Sequence, residues 1–367
     1  MKLVVRIAAS AILCSKLLTI LACQEVRGKD PMSLPFYPDK MELLRWIDDS
    51  GQIHPINTRE DWQLRREHIL AGMQLVMGQL PSAESKIALE MQELESEELP
   101  TVTRKKILYQ VGPGDRIPAY LLIPKKLTGP APAMLCLHGT SGSRGRTAGL
   151  GADYPRYTLE LSERGYVTIA PDYTLLGENQ TDPESLGYAS GTMKGIWSHI
   201  RSIDLLVSLP EVDANRIGSI GVSLGGHNSL FVGAFDSRLK VIVTSSGFDS
   251  FLDYMRGDPT GWCQKRYMPR IEKVYGKEPK KIPFDFPEVL AAIAPRALYI
   301  HAPQNDSNFR LDSVMRCEQA ARSVYQLLDS GDRLTAVYPP GEHGFPLEAR
   351  LDAYHFIDRI LSSTGNR

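Results

Sequence analysis

Arg216-Ile217-Gly218-Ser219-Ile220-Gly221-Val222-Ser223-Leu224-Gly225-Gly226 reads as a short apolar strand that runs straight into a glycine-bracketed serine. A helix can start at Leu224. Strand, tight turn and helix in that succession need small residues on both sides of the turning residue, because the strained backbone leaves no room for side chains there. Such a turn lifts the Ser223 hydroxyl above the end of a sheet. A glycine-rich turn that merely packs closely has the same local composition, so the rest of the chain has to supply the chemistry.

Outward from this turn, strands and helices alternate. Upstream, residues 105–111 and 118–124 are β-type runs joined through Gly112-Pro113-Gly114-Asp115, a natural hairpin. A buried strand follows at 133–137, a helix at 157–164 that stops at Gly165, and a strand at 166–170. Ile196, Trp197, Ile200, Ile203 and Leu206 mark another helix. Downstream come strands at 239–243, 297–301 and 334–338, with helices around 315–328 and 351–361. The series implies βαβ units and a mostly parallel sheet covered by helices on both faces. Residues 248–288, rich in aromatics, Pro, Lys and Arg, break the rhythm and read as a lid-like insertion over one end of the sheet. Before the series, Thr58 can cap a helix with Asp61 at its third position, and Gly78 can stop it. Residues 84–99 are acidic, and a solvated helical tendency is expected there. Residues 24–56, with Pro31, Pro35, Pro38 and Pro55, read as a tether.

The chain has 367 residues, 43% hydrophobic and 23% charged, which excludes a wholly disordered, collagenous or polytopic membrane protein. With 42 Lys+Arg against 43 Asp+Glu the net charge is −1, so nothing favours a nucleic-acid partner. Lys2 and Arg6 precede an apolar run over 7–22 that is interrupted by Lys16, the pattern of an export leader. Ile20-Leu21-Ala22-Cys23 looks like a lipobox, which makes a lipid anchor at Cys23 the one membrane link to expect. Cleavage there leaves Cys23, Cys136, Cys263 and Cys317, too few for a disulfide scaffold and without zinc spacing. No Gly-Lys-Ser/Thr or Gly-x-Gly-x-x-Gly pattern occurs in the loop after 133–137, which disfavours nucleotide binding, and with no metal-ligand spacing either, no cofactor or metal is expected.

A serine hydroxyl needs a base. His343, in Gly341-Glu342-His343-Gly344-Phe345 between the last strand and the last helix, is the candidate. His355 falls within a helix, His301 stands too early in the order, and His227 follows Ser223 by only one turn. The acid that orients the imidazole is expected after the strand at 297–301, where Asp306 is the first carboxylate. Asp312 competes one turn on, and Asp249 or Asp253, after the preceding strand, would be a rarer arrangement. The developing oxyanion needs two backbone donors. Leu224 offers one, and the loop His138-Gly139-Thr140-Ser141-Gly142 the other, through Thr140 or the nearby Gly139. His138 reads as a structural hydrogen-bonding residue. Trp262, Arg266 and Tyr267 in the insertion are candidates to line an acyl or sugar pocket.

With these motifs in place, residues 104–362 resemble the α/β-hydrolase superfamily, nearest to exported dienelactone-hydrolase-like and acetyl-xylan-esterase-like hydrolases. Dienelactone hydrolases use a cysteine nucleophile where this elbow carries Ser223, which puts serine-esterase chemistry ahead of lactone hydrolysis. The resemblance implies an α/β-hydrolase catalytic domain over 104–367, preceded by a helical extension over 23–103, and an exported enzyme that cleaves carboxylic esters of small molecules or carbohydrates through an acyl-enzyme. A prolyl-oligopeptidase-like peptidase and a non-catalytic surface binding protein on the same scaffold are the alternatives. The former usually carries an N-terminal propeller that residues 23–103 are too few to build.

Overall fold

The computed structural model describes residues 34–362 except position 152. The leader and the Cys23 lipid site therefore lie outside the described residues. No helix among those described is long and apolar enough to cross a membrane.

The chain enters through two short antiparallel strands, β1 (Arg45–Ile47) and β2 (Ile53–Pro55). Helix α1 (Arg59–Met77) follows with the expected capping box of Thr58 and Asp61, and it stops at Gly78. An antiparallel meander comes next: β3 (Gln92–Glu98), β4 (Val102–Gly112) and β5 (Asp115–Pro124). The alternating part is β6 (Ala131–Leu137), α2 (Tyr157–Glu163), β7 (Val167–Pro171), α3 (Gly191–Ser208), β8 (Val212–Val222), α4 (Leu224–Phe235) and β9 (Leu239–Ser245). After the insertion, which contains the single turn α5 (Arg270–Lys273), come α6 (Phe286–Ile293), β10 (Ala297–His301), α7 (Leu311–Leu327), β11 (Leu334–Val337) and α8 (Leu347–Leu361).

One sheet takes nine of these strands in the order β11-β10-β9-β8-β6-β7-β5-β4-β3. The six from β11 to β7 are parallel, and the meander adds three antiparallel strands at one edge. Alternate strand residues feed two cores. Leu135, Ile217 and Ile242 face the side covered by α1, α3, α4, α6 and α7. Cys136, Ile220, Val243 and Tyr299 face α2 and α8. Cys136 is thus plain core. Strand β6 has β7 on one side and β8 on the other. The chain reverses direction of winding there, and loops at the carboxyl ends of such strands form a crevice.

One expectation fails. Residues 92–98 form an edge strand and not a solvated helix. Glu93 pairs with Lys105 at 2.8 Å, Glu95 with Lys106 at 3.7 Å, and Glu97 with Arg104, all on β4. Opposite charges across an antiparallel pair favour this strand, and its charged outer edge discourages further pairing. The insertion packs into the core. Phe248, Phe251, Trp262, Phe284 and Phe286 are all buried and join the core. Helix α6, which the periodicity did not reveal, is buried along its whole length, so it has no polar face to betray it.

The N-terminal extension is tied to this aromatic layer by charge. Arg65 of α1 pairs with Glu288 of α6 with both side chains 1% exposed, and its guanidinium lies 3.3 Å above the Tyr37 ring. Arg66 donates to the carbonyls of Ala292 and Ala234 near the ends of α6 and α4. Removing one partner of a buried ion pair strands the other charge. Glu288→Ala is therefore expected to lower the unfolding free energy by about 3–5 kcal/mol. Urea unfolding measures this, and a loss below about 1 kcal/mol, the worth of a surface pair, contradicts it.

Candidate active site

Ser223 terminates β8 at φ 55°, ψ −119°, a backbone conformation that costs a non-glycine residue and persists only where the surroundings enforce it. The enforcement is visible. A Cβ on Gly225 would overlap the Leu137 carbonyl, and one on Gly221 would overlap Gly225 itself. The elbow closes because β6 and the start of α4 touch backbone to backbone. Ser223 donates its amide to the Ser245 carbonyl at 2.9 Å, which anchors the turn to β9.

His343 and Asp306 arrive on two loops that extend the β10–β11 pairing. Ala302 donates to Val337, Gln304 to Pro339 and Asn305 to Gly341, each at 2.9–3.0 Å. Asn305 and Glu342 form a last parallel bridge. One residue further on each side, Nδ1 of His343 lies 2.9 and 3.0 Å from the two carboxylate oxygens of Asp306. Asp306 also accepts from the amides of Asn308 and Phe309, which holds the loop in an Asx turn. Burial pushes its carboxyl up, but the His343 hydrogen bond and charge, the Asn308 amide and the Ser246 hydroxyl outweigh this and hold it below the usual carboxylate range. With Nδ1–H donated to Asp306, Nε2 of His343 is an acceptor, and the Asn308 amide Nδ2 faces it at 3.4 Å.

The other candidate acids are engaged elsewhere. Asp312 is exposed and pairs with Arg310 and Arg316, and Asp253 pairs with Arg316 at 2.7 Å. Asp249 is fully buried. One of its oxygens accepts from the Arg310 amide at 3.1 Å and the other has no partner. Burial raises it to about 8, so it is a neutral acid at neutral pH.

The loop after β6 corrects one candidate and reveals a residue the sequence did not. Gly139 donates its amide to the Tyr154 hydroxyl at 2.8 Å, so that amide is spent. Thr140 lines the cavity beside Ser223, and Leu224 is the first residue of α4, where a helix leaves its amides without intrahelical acceptors. His138 donates from Nδ1 to the Gly139 carbonyl at 2.7 Å and accepts from the Tyr173 amide at 3.0 Å. Burial keeps its imidazole below its ordinary range, in the neutral form those bonds require. It is a brace, as expected. Tyr154, in a loop with no motif, had no signal that pattern reading could use.

A cavity of about 450 Å³ holds Ser223, Thr140, Tyr154, Asn308 and His343 on its walls. Trp262, Arg266 and Tyr267 are absent from it. Trp262 is 3% exposed and packs edge-on against His227 and Phe251. The Tyr267 ring lies 5.9 Å from that of His227, and Arg266 offers its carbonyl to the Tyr173 hydroxyl. Aromatic packing has taken up Trp262, while Arg266 and Tyr267 are half-buried outside this cavity.

Asp249 gives the fold a pH signature. Its folded-state pKa of about 8 stands above the ordinary value of 3.8, so the folded protein holds a proton that the unfolded chain has lost. Its contribution is fully present below pH 4 and is lost as pH rises toward 8. Asp249→Asn removes the titration, and its stability relative to the parent is expected to improve from pH 5 to pH 8, by on the order of 4 kcal/mol. Urea unfolding at both pH values tests this; an offset that does not change with pH contradicts it.

Residues 116–329 match the family model described as glucuronyl esterase, fungi. That span includes Ser223 and Asp306 and ends before His343. YtaP of Bacillus subtilis, provisionally named a hydrolase, is 26% identical over 302 residues, covering 78% of this chain and 96% of its own. The 4-O-methyl-glucuronoyl methylesterase 1 of Wolfiporia cocos is 28% identical over 220 residues, covering 55% of this chain and 51% of its own. A solved glucuronoyl esterase from Solibacter usitatus superposes with a TM-score of 0.69 at 21% identity, over 89% of this chain and 99% of that one, a likeness of fold. The motifs had reached the superfamily, and the match narrows it. This chain is a serine hydrolase of carboxylic esters and belongs to the glucuronyl esterase family.

Proposed function

We propose that Ser223, His343 and Asp306 are a catalytic triad that hydrolyses carboxylic esters of carbohydrates through an acyl-enzyme, and that residues 104–367 are the unit that carries it. The reading rests chiefly on one observation. The imidazole of His343 gives one nitrogen to the Asp306 carboxylate, and it stands on the wall of the same cavity as the serine at the strained turn. In this reading Nε2 of His343 takes the Ser223 proton as Oγ attacks the carbonyl carbon. The amides of Leu224 and Thr140 receive the oxyanion, and the resulting imidazolium is stabilised by Asp306. His343 then protonates the departing alcohol. In the second half it activates water against the acyl-enzyme, which releases the acid and regenerates Ser223. Sugar esters as substrates are supported by the family match and by the methylesterase relative. Short acyl esters of sugars fit the same chemistry.

The peptidase alternative loses ground, because residues 34–103 hold β1, β2, α1 and β3 and no propeller blade among those described. Residues 1–22 are read as an export leader, so the mature chain should begin at Cys23 or Gln24; intact-mass analysis of exported protein decides this, and a retained Met1 contradicts it.

The triad reading is tested by comparing two acids. Asp306→Asn keeps the shape, misplaces the proton on His343 and should lower turnover by on the order of 10⁴. Asp312→Asn should stay within about threefold, since its partners are the exposed Arg310 and Arg316. Equal effects of the two changes on hydrolysis of one methyl ester, or their reversal, contradict the assignment.

A further inference from the structure

Tyr154 takes the Gly139 amide and has a hydroxyl proton of its own to give. An amide nitrogen only donates, so in the 2.8 Å contact with Gly139 the phenol oxygen is the acceptor and its proton is left over. Among the described residues the phenol donates that proton to nothing. Burial pushes the hydroxyl up to about 12, so it keeps the proton at neutral pH. Arg146 lies over the ring, 5.3 Å from its centre, and its positive charge makes the O–H a better donor.

The surroundings of the hydroxyl say where that proton is offered. Tyr154 stands between two open spaces, the serine cavity and a second cavity of about 770 Å³ that also borders His343. Gly139, which meets the hydroxyl end of the tyrosine, lines the first and not the second. A Cβ built on Gly139 would stand 2.7 Å from the Tyr154 oxygen and 3.5 Å from Cβ of Ser223. One methyl-sized volume therefore touches both residues. A Cβ on Gly142 would overlap the phenol carbon that bears the hydroxyl, so the loop keeps two glycines where this end of the ring enters.

When Ser223 adds to an ester carbonyl, the carbonyl oxygen becomes an oxyanion with three lone pairs. The amides of Leu224 and Thr140 account for two of them in the reaction proposed above. We propose that the hydroxyl of Tyr154 is a third oxyanion donor, which accepts from the Gly139 amide and hydrogen-bonds the tetrahedral intermediate. The proton stays on the phenol throughout, so the step is a hydrogen bond that strengthens as charge develops, with no transfer to balance. The Gly139 amide contributes through the phenol, because a hydroxyl that accepts one hydrogen bond is polarised toward giving the next. The inference rests on the triad reading, since the oxyanion exists only if Ser223 attacks.

The test follows turnover of one methyl ester by the wild type, by Tyr154→Phe and by a protein carrying 3,5-difluorotyrosine at position 154. Tyr154→Phe should lower kcat by on the order of 10²–10³ while KM moves less than about threefold. A kcat within about threefold of the wild type overturns the inference. The fluorinated ring keeps the shape and separates donation from loop-holding. Fluorine makes the phenol a better donor and a weaker acceptor, and it brings ionisation into the assayed pH range, where phenolate absorbance follows it. A donor to the oxyanion should turn over at least as fast as the wild type while protonated, and lose activity as the phenolate forms. A hydroxyl that only accepts from Gly139 behaves in the opposite way: turnover starts low, and the phenolate, a stronger acceptor, restores it. That reversed profile, or a rate indifferent to the ionisation, overturns the inference. The two readings fail separately. A wild type that leaves the methyl ester intact, or a Ser223→Ala protein that cleaves it, refutes the triad. Hydrolysis that needs Ser223 but not the Tyr154 hydroxyl removes only the third donor.

Discussion

The site depends on a backbone contact between Gly225 and the carbonyl of Leu137, a place where no Cβ fits. Because those two points touch, β8 must turn into α4 within one residue, and that residue is Ser223 at positive φ. The same contact fixes the end of β6, and the chain leaving it becomes the His138–Gly142 loop. The candidate nucleophile and candidate oxyanion donors are thus set against one another by packing of main chain, before any polar interaction is counted. This is stiff machinery: close-packed backbone has two states, in place or unfolded, and little between.

The candidate base and its candidate acid are held by a softer but longer device. The β10–β11 ladder continues past both strand ends as loop-to-loop hydrogen bonds through Asn305 and Gly341. Asp306 and His343 meet because they are the next residues along that register. Their loops also border both cavities. Gly344, one residue past His343, is held in turn by Ser245 and Ser246. The far end of the sheet has only a supporting part, with the charged β3 edge closing it off. The aromatic layer around Phe286 stands apart from the chemistry and serves to dock α1.

What could be read in the sequence was what local physics determines. The glycines around Ser223, the Thr58–Asp61 cap, the Gly112–Asp115 hairpin and the alternation of strands and helices all declare themselves within a few residues. That Ser223, Asp306 and His343 each follow a strand end was legible too. Features that depend on distant partners were not. Residues 92–98 become a strand only because Arg104, Lys105 and Lys106 lie across from them. Helix α6 is buried all round and leaves no period. Gly139 stood close behind Thr140 as a donor until Tyr154, fifteen residues away, took its amide. Trp262 carried the composition of a substrate wall and the environment of a core residue. His301 was set aside for standing too early in the order, and the structure buries it between Ser245 and Phe345.

The central claim is that Ser223 forms the covalent bond to substrate. It is tested most directly by treating the mature protein with a fluorophosphonate probe and locating the adduct by peptide mass spectrometry. The account predicts a single adduct, on Ser223, and none in a folded Ser223→Ala protein. An adduct on any other serine, or equal labelling of the two proteins, would contradict it.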